Sequence, residues 1–160
     1  MRYLNRCYIA SITVCVLGLL TNAVNANACT CIPVTVSELV QKADIVFQGT
    51  IIDIHDVPTR PGTQTELGPA GRVAVFRVKR AWKGDTGEIF EMPAIEKSGG
   101  TCLGFPRGSL VVGNELLVYA YRRNDTGEYF TGMCSHTSLL TQTKDLQELG
   151  RGRVPRKKVN

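Results

Sequence analysis

The sequence has few of the residues, and none of the local motifs, that usually carry catalysis. Its 160 residues include only two histidines, His55 and His136, which are far apart and lack the spacing of metal ligands. There is no glycine-rich phosphate-binding motif, no serine nucleophile elbow and no zinc-protease helix motif. We therefore expect no enzyme activity and no cofactor, and we expect both histidines to lie on the surface or in loops.

A long apolar run is also missing. The longest, residues 8–20, has about 13 residues, whereas crossing a ~30 Å hydrocarbon core takes about 20. It follows Arg2 and Arg6 and precedes a polar stretch that ends in small residues at Ala28. This order is typical of a secretory signal peptide over residues 1–28. The pattern predicts a secreted or extracellular protein (periplasmic or in the envelope if bacterial) without a stable membrane span.

The position of the signal cut stays open. A cut after Ala26 leaves Asn27 as the first residue of the mature chain. A cut after Ala28 leaves Cys29 first and fits the small-residue rule slightly better. A third interpretation is a bacterial lipoprotein, which is also cut before a cysteine and is then acylated on it. Such signals usually carry a larger aliphatic residue where Ala26 stands.

The positive charge is concentrated at the ends of the chain. Without Arg2 and Arg6 the net charge falls from +5 to +3, and the last ten residues carry five basic side chains, so residues 29–150 are left at about −2. A folded body without basic excess argues against a nucleic-acid partner. We expect one domain over residues 29–150 and a basic, disordered tail over residues 151–160. A weak attraction of this tail to anionic surfaces is the alternative.

Cysteine usage predicts two disulfides in the exported chain. Cys7 and Cys15 fall in the expected signal, and an even number remains, which favours disulfide bonding outside the cell. A bridge between neighbours in a Cys-x-Cys pair would be strained, so two long-range connectivities stay open, and both tie the start of the mature chain to distant loops. A four-cysteine zinc site has the wrong spacing. The remaining cysteines are Cys29, Cys31, Cys102 and Cys134.

The hydrophobic pattern predicts a mainly β protein, a small closed barrel of five to six strands with short flanking helices. Thr35 or Ser37 is expected to cap the first helix, and Gly49 is expected to bend the first strand. On the second strand, the alternation places Trp82 on the same face as Phe76. The predicted elements are helix 34–43, strand 44–54, loop 55–72, strand 73–83, turn 84–87, strand 88–92, loop 93–101, strand 110–122, turn 124–127, strand 128–134 and helix 141–149.

Several stretches carry a family resemblance. The start Cys29-Thr30-Cys31-Ile32-Pro33, together with residues 44–50, 76–84, 93–105 and 132–135, resembles the N-terminal domain of the tissue inhibitors of metalloproteinases. That domain is netrin-like and has an OB-fold barrel. The chain departs from the family by lacking a third disulfide and the C-terminal subdomain, so functions of that subdomain are not implied.

The resemblance implies a secreted, monomeric inhibitor of zinc metalloendopeptidases. It implies the pairing Cys29–Cys102 and Cys31–Cys134, and it implies that the free amine and carbonyl of Cys29 chelate the zinc of the partner protease. Thr30 would enter the specificity pocket of that protease. The remaining implied cleft contacts are Cys31, Ile32, Pro33, Ser98, Gly99, Gly100 and Thr101. The alternative is a non-inhibitory netrin-like module that binds proteins in the cell envelope or extracellular matrix, as a lipoprotein or through its loops.

Overall fold

The computed structural model describes residues 29–57, 71–96 and 102–156. The expected signal peptide, the centre of the loop 55–72 and the cleft contacts Ser98–Thr101 lie outside these ranges. The elements are helix α1 (Val36–Lys42), strands β1 (Ile45–Asp56), β2 (Arg72–Lys83), β3 (Ile89–Pro93), β4 (Glu115–Arg122) and β5 (Tyr129–Phe130), a 3-10 turn (Met133–Ser135), strand β6 (Ser138–Leu139) and helix α2 (Leu146–Leu149).

The strands form one antiparallel sheet whose centre is β1. Their order is β3-β2-β1-β4-β5, and β6 pairs with β4. The register between β1 and β2 shifts three times, once between Gln48 and Gly49. Each shift adds one unpaired residue and increases the local twist, which lets a long strand curve around a small core. The expected irregularity at Gly49 is confirmed.

A short segment, residues 102–105, helps to close this sheet into a barrel. The Phe105 amide donates to the Ile95 carbonyl just past β3 (2.7 Å), and the Gly104 amide donates to the Thr131 carbonyl just past β5 (2.8 Å). The segment therefore bridges β3 and β5, the two ends of the strand order, at one end of the sheet. The result is a nearly closed barrel with two short helices, which confirms the predicted small OB-fold-like architecture.

Aromatic side chains fill the barrel. Phe47 lies 5.3 Å from Phe76 and 5.3 Å from Phe90 between ring centroids, and Phe76 stacks on Phe105 at 5.9 Å. All four rings are buried, and each contributes about 1.5–3 kcal/mol through removal from water. The alternation predicted for β2 correctly placed Ala74, Phe76 and Val78 in the barrel interior.

A second apolar cluster covers the outer face of β1 and β4. Helix α1 contributes Leu39, and Tyr119 lies at the centre of the cluster. Trp82 packs into this cluster, and Ala81 takes the inward position of the barrel. The prediction that Trp82 shares a face with Phe76 is therefore wrong, because the register shifts in β2 interrupt the simple alternation. The Lys83 ammonium donates to two carbonyls at the C-terminal end of α1, at 2.8 and 2.9 Å.

Three predicted elements are about five residues shorter in the structure. The strand predicted over 110–122 begins only at Glu115, because turns with positive φ at Gly108 and Gly113 precede it. The strand predicted over 128–134 ends at Phe130, and Cys134 lies on the 3-10 turn. The helix predicted over 141–149 is confined to α2 because turns occupy residues 140–142.

The first part of the expected disordered tail is ordered. Arg153 exchanges two backbone hydrogen bonds of 2.8 Å with Ala81, on the stretch of β2 that β3 leaves unpaired. Pro155 is buried. The tail prediction is thus wrong for residues 151–156, because composition does not reveal that a strand edge is available. In the described part of the chain, no helix has the length and apolar character needed to cross a bilayer.

Candidate functional site

Two disulfides hold the N-terminal segment, which we define as residues 29–33. Cys29 is bonded to Cys102 and Cys31 to Cys134, with Cα–Cα separations of 5.7 and 5.3 Å. The pairing implied by the family resemblance is confirmed, and the cysteines do not form a metal site. Two disulfides are compatible with an extracellular or secreted protein.

Backbone hydrogen bonds connect the chain around Cys102 with the chain around Cys134, the two cysteines to which the N-terminal segment is bonded. The Met133 amide donates to the Cys102 carbonyl at 2.8 Å, next to an antiparallel bridge between Leu103 and Gly132. A Cβ atom on Gly132 would approach the Cys102 carbonyl oxygen to 2.9 Å, so the backbones meet at a distance that only glycine permits without a shift. Both disulfides therefore end on one connected piece of backbone.

A buried hydroxyl network fixes the turn that carries Cys134. Thr131 and Thr137 share a hydrogen bond of 2.6 Å between their hydroxyl oxygens, and the Ser135 hydroxyl donates to the Gly132 carbonyl at 2.6 Å. The Thr137 hydroxyl also accepts from the Tyr119 amide of β4 at 2.9 Å. These hydroxyls are buried and satisfied, which makes the turn specific in conformation.

The other end of the N-terminal segment runs into a capped helix. Thr35 is the N-cap of α1: its hydroxyl accepts from the Glu38 amide at 3.2 Å, and its own amide donates to the Glu38 carboxylate at 2.8 Å. The sequence left Thr35 and Ser37 as alternatives for the cap, and the structure selects Thr35. Hydrogen bonds from the Thr35 backbone and hydroxyl lower the pKa of Glu38 below its ordinary value.

The N-terminal segment is held at both ends and yet remains on the surface. Thr30, Cys31 and Pro33 are exposed, Cys29 is half-buried, and Ile32 is 81% exposed. No residue of the segment belongs to either apolar cluster. An exposed stretch with a fixed backbone can present its main chain and side chains to another protein with little further ordering. The structure does not describe Ser98, Gly99, Gly100 and Thr101, so their expected place beside Cys29 stays a prediction.

A shallow apolar groove lies beside this assembly. Its lining includes Ile95 and Leu103 next to the Cys102 anchor, and Phe130 from β5. Arg123 and Glu128 contribute to its lining as well. The groove runs along the seam where the barrel closes, so it is a consequence of how β3 and β5 meet.

The histidines form no catalytic constellation. His55 Nδ1 lies 2.9 Å from the Asp53 carboxylate, and His136 Nδ1 lies 3.2 Å from that of Asp145. Asp145 also accepts from the Tyr119 hydroxyl at 2.9 Å, and burial together with this bond raises the pKa of Tyr119. Within residues 29–57, 71–96 and 102–156, no group of three or more His, Cys, Asp and Glu side chains is placed to hold a metal ion.

The sequence did not predict the residues that hold the neighbouring turn and helix α1 in place. Thr131, Ser135 and Thr137 lie in a short polar stretch that gives no periodic signal. The Lys83 contact with α1 joins residues more than 40 positions apart and leaves no local trace. A comparison with models of known protein families finds no match to this chain, and a comparison with curated proteins finds none either.

Proposed function

We propose that the protein is an exported inhibitor of zinc metalloendopeptidases that acts through the N-terminal segment. The observation that carries this proposal is the combination of exposure and restraint in residues 29–33. The segment is on the surface, but two disulfides and a capped helix restrain it within a few residues. An exposed stretch that is held in this way can enter a substrate-binding cleft with little loss of conformational freedom.

The proposed chemistry takes place at Cys29. A catalytic zinc in a protease keeps one coordination position for water, which the metal activates as the nucleophile. If the signal is cut after Ala28, the α-amine and the carbonyl oxygen of Cys29 can bind one metal ion as a five-membered chelate. This displaces the water and stops hydrolysis. The amine must be unprotonated, and its ordinary pKa of about 7.7–8.0 makes this inexpensive near neutral pH.

The disulfides give the chelator its affinity in this proposal. Ordering a free backbone costs roughly 1–2 kcal/mol per residue, so five flexible residues would lose about 5–10 kcal/mol on entering a cleft. The N-terminal segment, which the disulfides already restrain, has lost that freedom in the folded protein. Thr30 is proposed to enter the pocket beside the zinc. The proposed flanking contacts are Cys31, Ile32 and Pro33 on one side and Ser98, Gly99, Gly100 and Thr101 on the other.

The test uses the length of the N-terminus. N-terminal sequencing of the exported protein should give Cys29 as the first residue, and that protein should inhibit members of a panel of zinc endopeptidases. Adding one alanine before Cys29 should abolish inhibition, because the amine moves by one residue out of chelating geometry. The control adds one alanine after Asn160, and it should inhibit like the parent. Circular dichroism and disulfide mapping should be the same for all three proteins.

The outcomes separate the proposal from its alternative. Unchanged inhibition by the extended protein would contradict zinc chelation by Cys29. A mature chain that begins at Asn27, or one acylated on Cys29, would favour the non-inhibitory binding module of the cell envelope or extracellular matrix. The exposure of Ile32 and Met133 near the disulfides also suits protein binding, and that alternative does not need a free amine.

A further inference from the structure

Part of the positive charge of the folded chain lies on β2 and on the C-terminal segment that pairs with it. We define the basic strip as Arg77 and Arg80 of β2 together with Arg151, Arg153 and Arg156 of the C-terminal segment. All five side chains are exposed. Five contacts between a basic side chain and a carboxylate lie in the described ranges, two of them from histidines, and none includes a residue of the basic strip. No carboxylate of the described residues therefore forms an ion pair with the strip.

The basic strip is built on fixed backbone. The two hydrogen bonds between Arg153 and Ala81 add the C-terminal segment to β2 like a short strand. The Arg80 guanidinium donates to the Arg151 carbonyl at 2.6 Å, and the Trp82 indole donates to the Gly150 carbonyl at 3.2 Å. These contacts keep arginines that are 71 residues apart in sequence next to each other.

Close packing under the strip adds to this order. Gly152 has a φ of 60° and lies against the Trp82 ring, where a Cβ atom would come within 2.9 Å of an indole carbon. Only glycine combines that backbone conformation with such a close approach. The C-terminal segment thus packs against the Trp82 ring.

The acidic side chains around the strip do not cancel its charge. Glu115 accepts from Gln48 at 2.6 Å and pairs with Lys79 at 3.0 Å, so its charge is already engaged. Glu91 lies on β3 opposite Val75, and Glu148 lies on α2; neither forms an ion pair in the described part of the chain. Residues 29–150 carry about −2 in total, whereas residues 151–160 carry five basic side chains and no acidic one, so positive charge is concentrated at the C-terminal end.

An exposed apolar side chain stands among these arginines. Val154 is 77% exposed, between Arg153 and the buried Pro155. A soluble polyanion offers charge but no apolar phase for such a residue. A bilayer with anionic headgroups offers both, and reversible adsorption to membranes commonly combines a polybasic patch with an apolar contact.

We propose that the basic strip docks on an anionic lipid surface, with the arginines at the headgroups and Val154 at the boundary with the acyl chains. Each basic residue near such a surface raises the partition coefficient about fivefold at physiological ionic strength. The docking does not involve the N-terminal segment, so this inference is independent of the proposed inhibition.

The test measures binding to vesicles of phosphatidylcholine alone and of phosphatidylcholine mixed with an equal amount of phosphatidylglycerol. The chain has one tryptophan, Trp82, so its emission reports directly on the contact between β2 and the C-terminal segment. The parent protein should bind only the anionic vesicles, with a change in Trp82 emission and a loss of binding at high salt. The double variant Arg80→Gln/Arg151→Gln should bind about 25-fold more weakly. Val154→Ser should weaken binding about three- to tenfold without a change in charge.

A matched control separates the strip from net charge. Arg107→Gln/Arg122→Gln removes the same charge from exposed positions outside the strip and should retain parental binding within about twofold. Equal loss in both double variants would overturn the proposal. So would parental binding of Val154→Ser combined with tight binding of soluble dextran sulfate, which would identify a polysaccharide site. Thermal unfolding should show that all variants are folded, and protease inhibition by them should equal that of the parent.

Discussion

Removing one disulfide should cost about the same stability whichever disulfide is removed. The bridges close segments of 73 and 103 residues in sequence, which would suggest unequal contributions. However, each bridge acts on a chain that the other has already closed. With one bridge intact, the two cysteines of the other are already linked covalently through that bridge. The shortest path between them uses residues 29–31, the intact bridge and residues 102–134, about 34 residues in all. This path is the same for both.

The magnitude follows from loop-closure entropy. A loop of about 34 residues corresponds to roughly 4 kcal/mol at 25 °C in the chain-entropy description of disulfides. The double variants Cys29→Ala/Cys102→Ala and Cys31→Ala/Cys134→Ala should therefore each lose about 4 kcal/mol of unfolding free energy. The folded barrel should be unchanged in both, because the N-terminal segment belongs to neither apolar cluster.

Guanidinium unfolding followed by Trp82 fluorescence measures this loss. The m-value should rise in both variants, because the unfolded chain with fewer crosslinks exposes more surface. A difference of more than about 1 kcal/mol between the variants would refute the shared-path reasoning. It would mean that one bridge also maintains contacts in the folded state. Backbone amide shifts of β1 to β4 serve as the control and should match those of the parent.

Three further predictions concern the supports of the N-terminal segment. Gly132→Ala should lower the unfolding free energy by about 1–3 kcal/mol in denaturant titrations, because its methyl group would press on the Cys102 carbonyl. Thr35→Ala should lower it by about 1 kcal/mol through loss of the N-cap of α1, and Thr35→Ser should restore it. Carbon-detected NMR should find the pKa of Glu38 in the folded protein below 4.5. The hydrogen bonds of ionised Glu38 therefore stabilise the fold fully above the pKa that Glu38 has in the unfolded chain. This stabilisation is lost as the pH falls through the lower pKa of the folded protein. Thr35→Ala should raise this pKa; an unchanged value would exclude the capping box as its cause.

The predictable part of the fold is the part with a local pattern. The alternation around Phe76 identified β2, and Gly49 within an apolar run identified the irregularity of β1. For the cap of α1 the prediction allowed Thr35 or Ser37, although Thr35 stands three residues before Glu38, which is the spacing of a capping box and distinguishes the two. In each case the deciding interaction lies within a few residues, so the sequence carries it directly.

The unpredicted part depends on contacts between distant residues. Trp82 leaves the inward face because register shifts against β1 accumulate before it. Cys134 lies on a turn because Thr131 bonds with Ser135 and Thr137, and these hydroxyls are no less common in strands and loops. The disulfide pairing came from the family resemblance, since spacing alone left two connectivities open.

The N-terminal segment and the barrel have separable sources of order. Burial of aromatic rings stabilises the barrel, and residues 29–33 take no part in it. The segment is ordered through covalent bonds to Cys102 and Cys134 and through the helix cap at Thr35. A surface peptide in water would otherwise remain flexible, because it buries too little apolar area to offset its conformational entropy. A need for a rigid exposed segment would account for two disulfides that both end within the same five residues, whereas stability of the barrel alone would not require this arrangement.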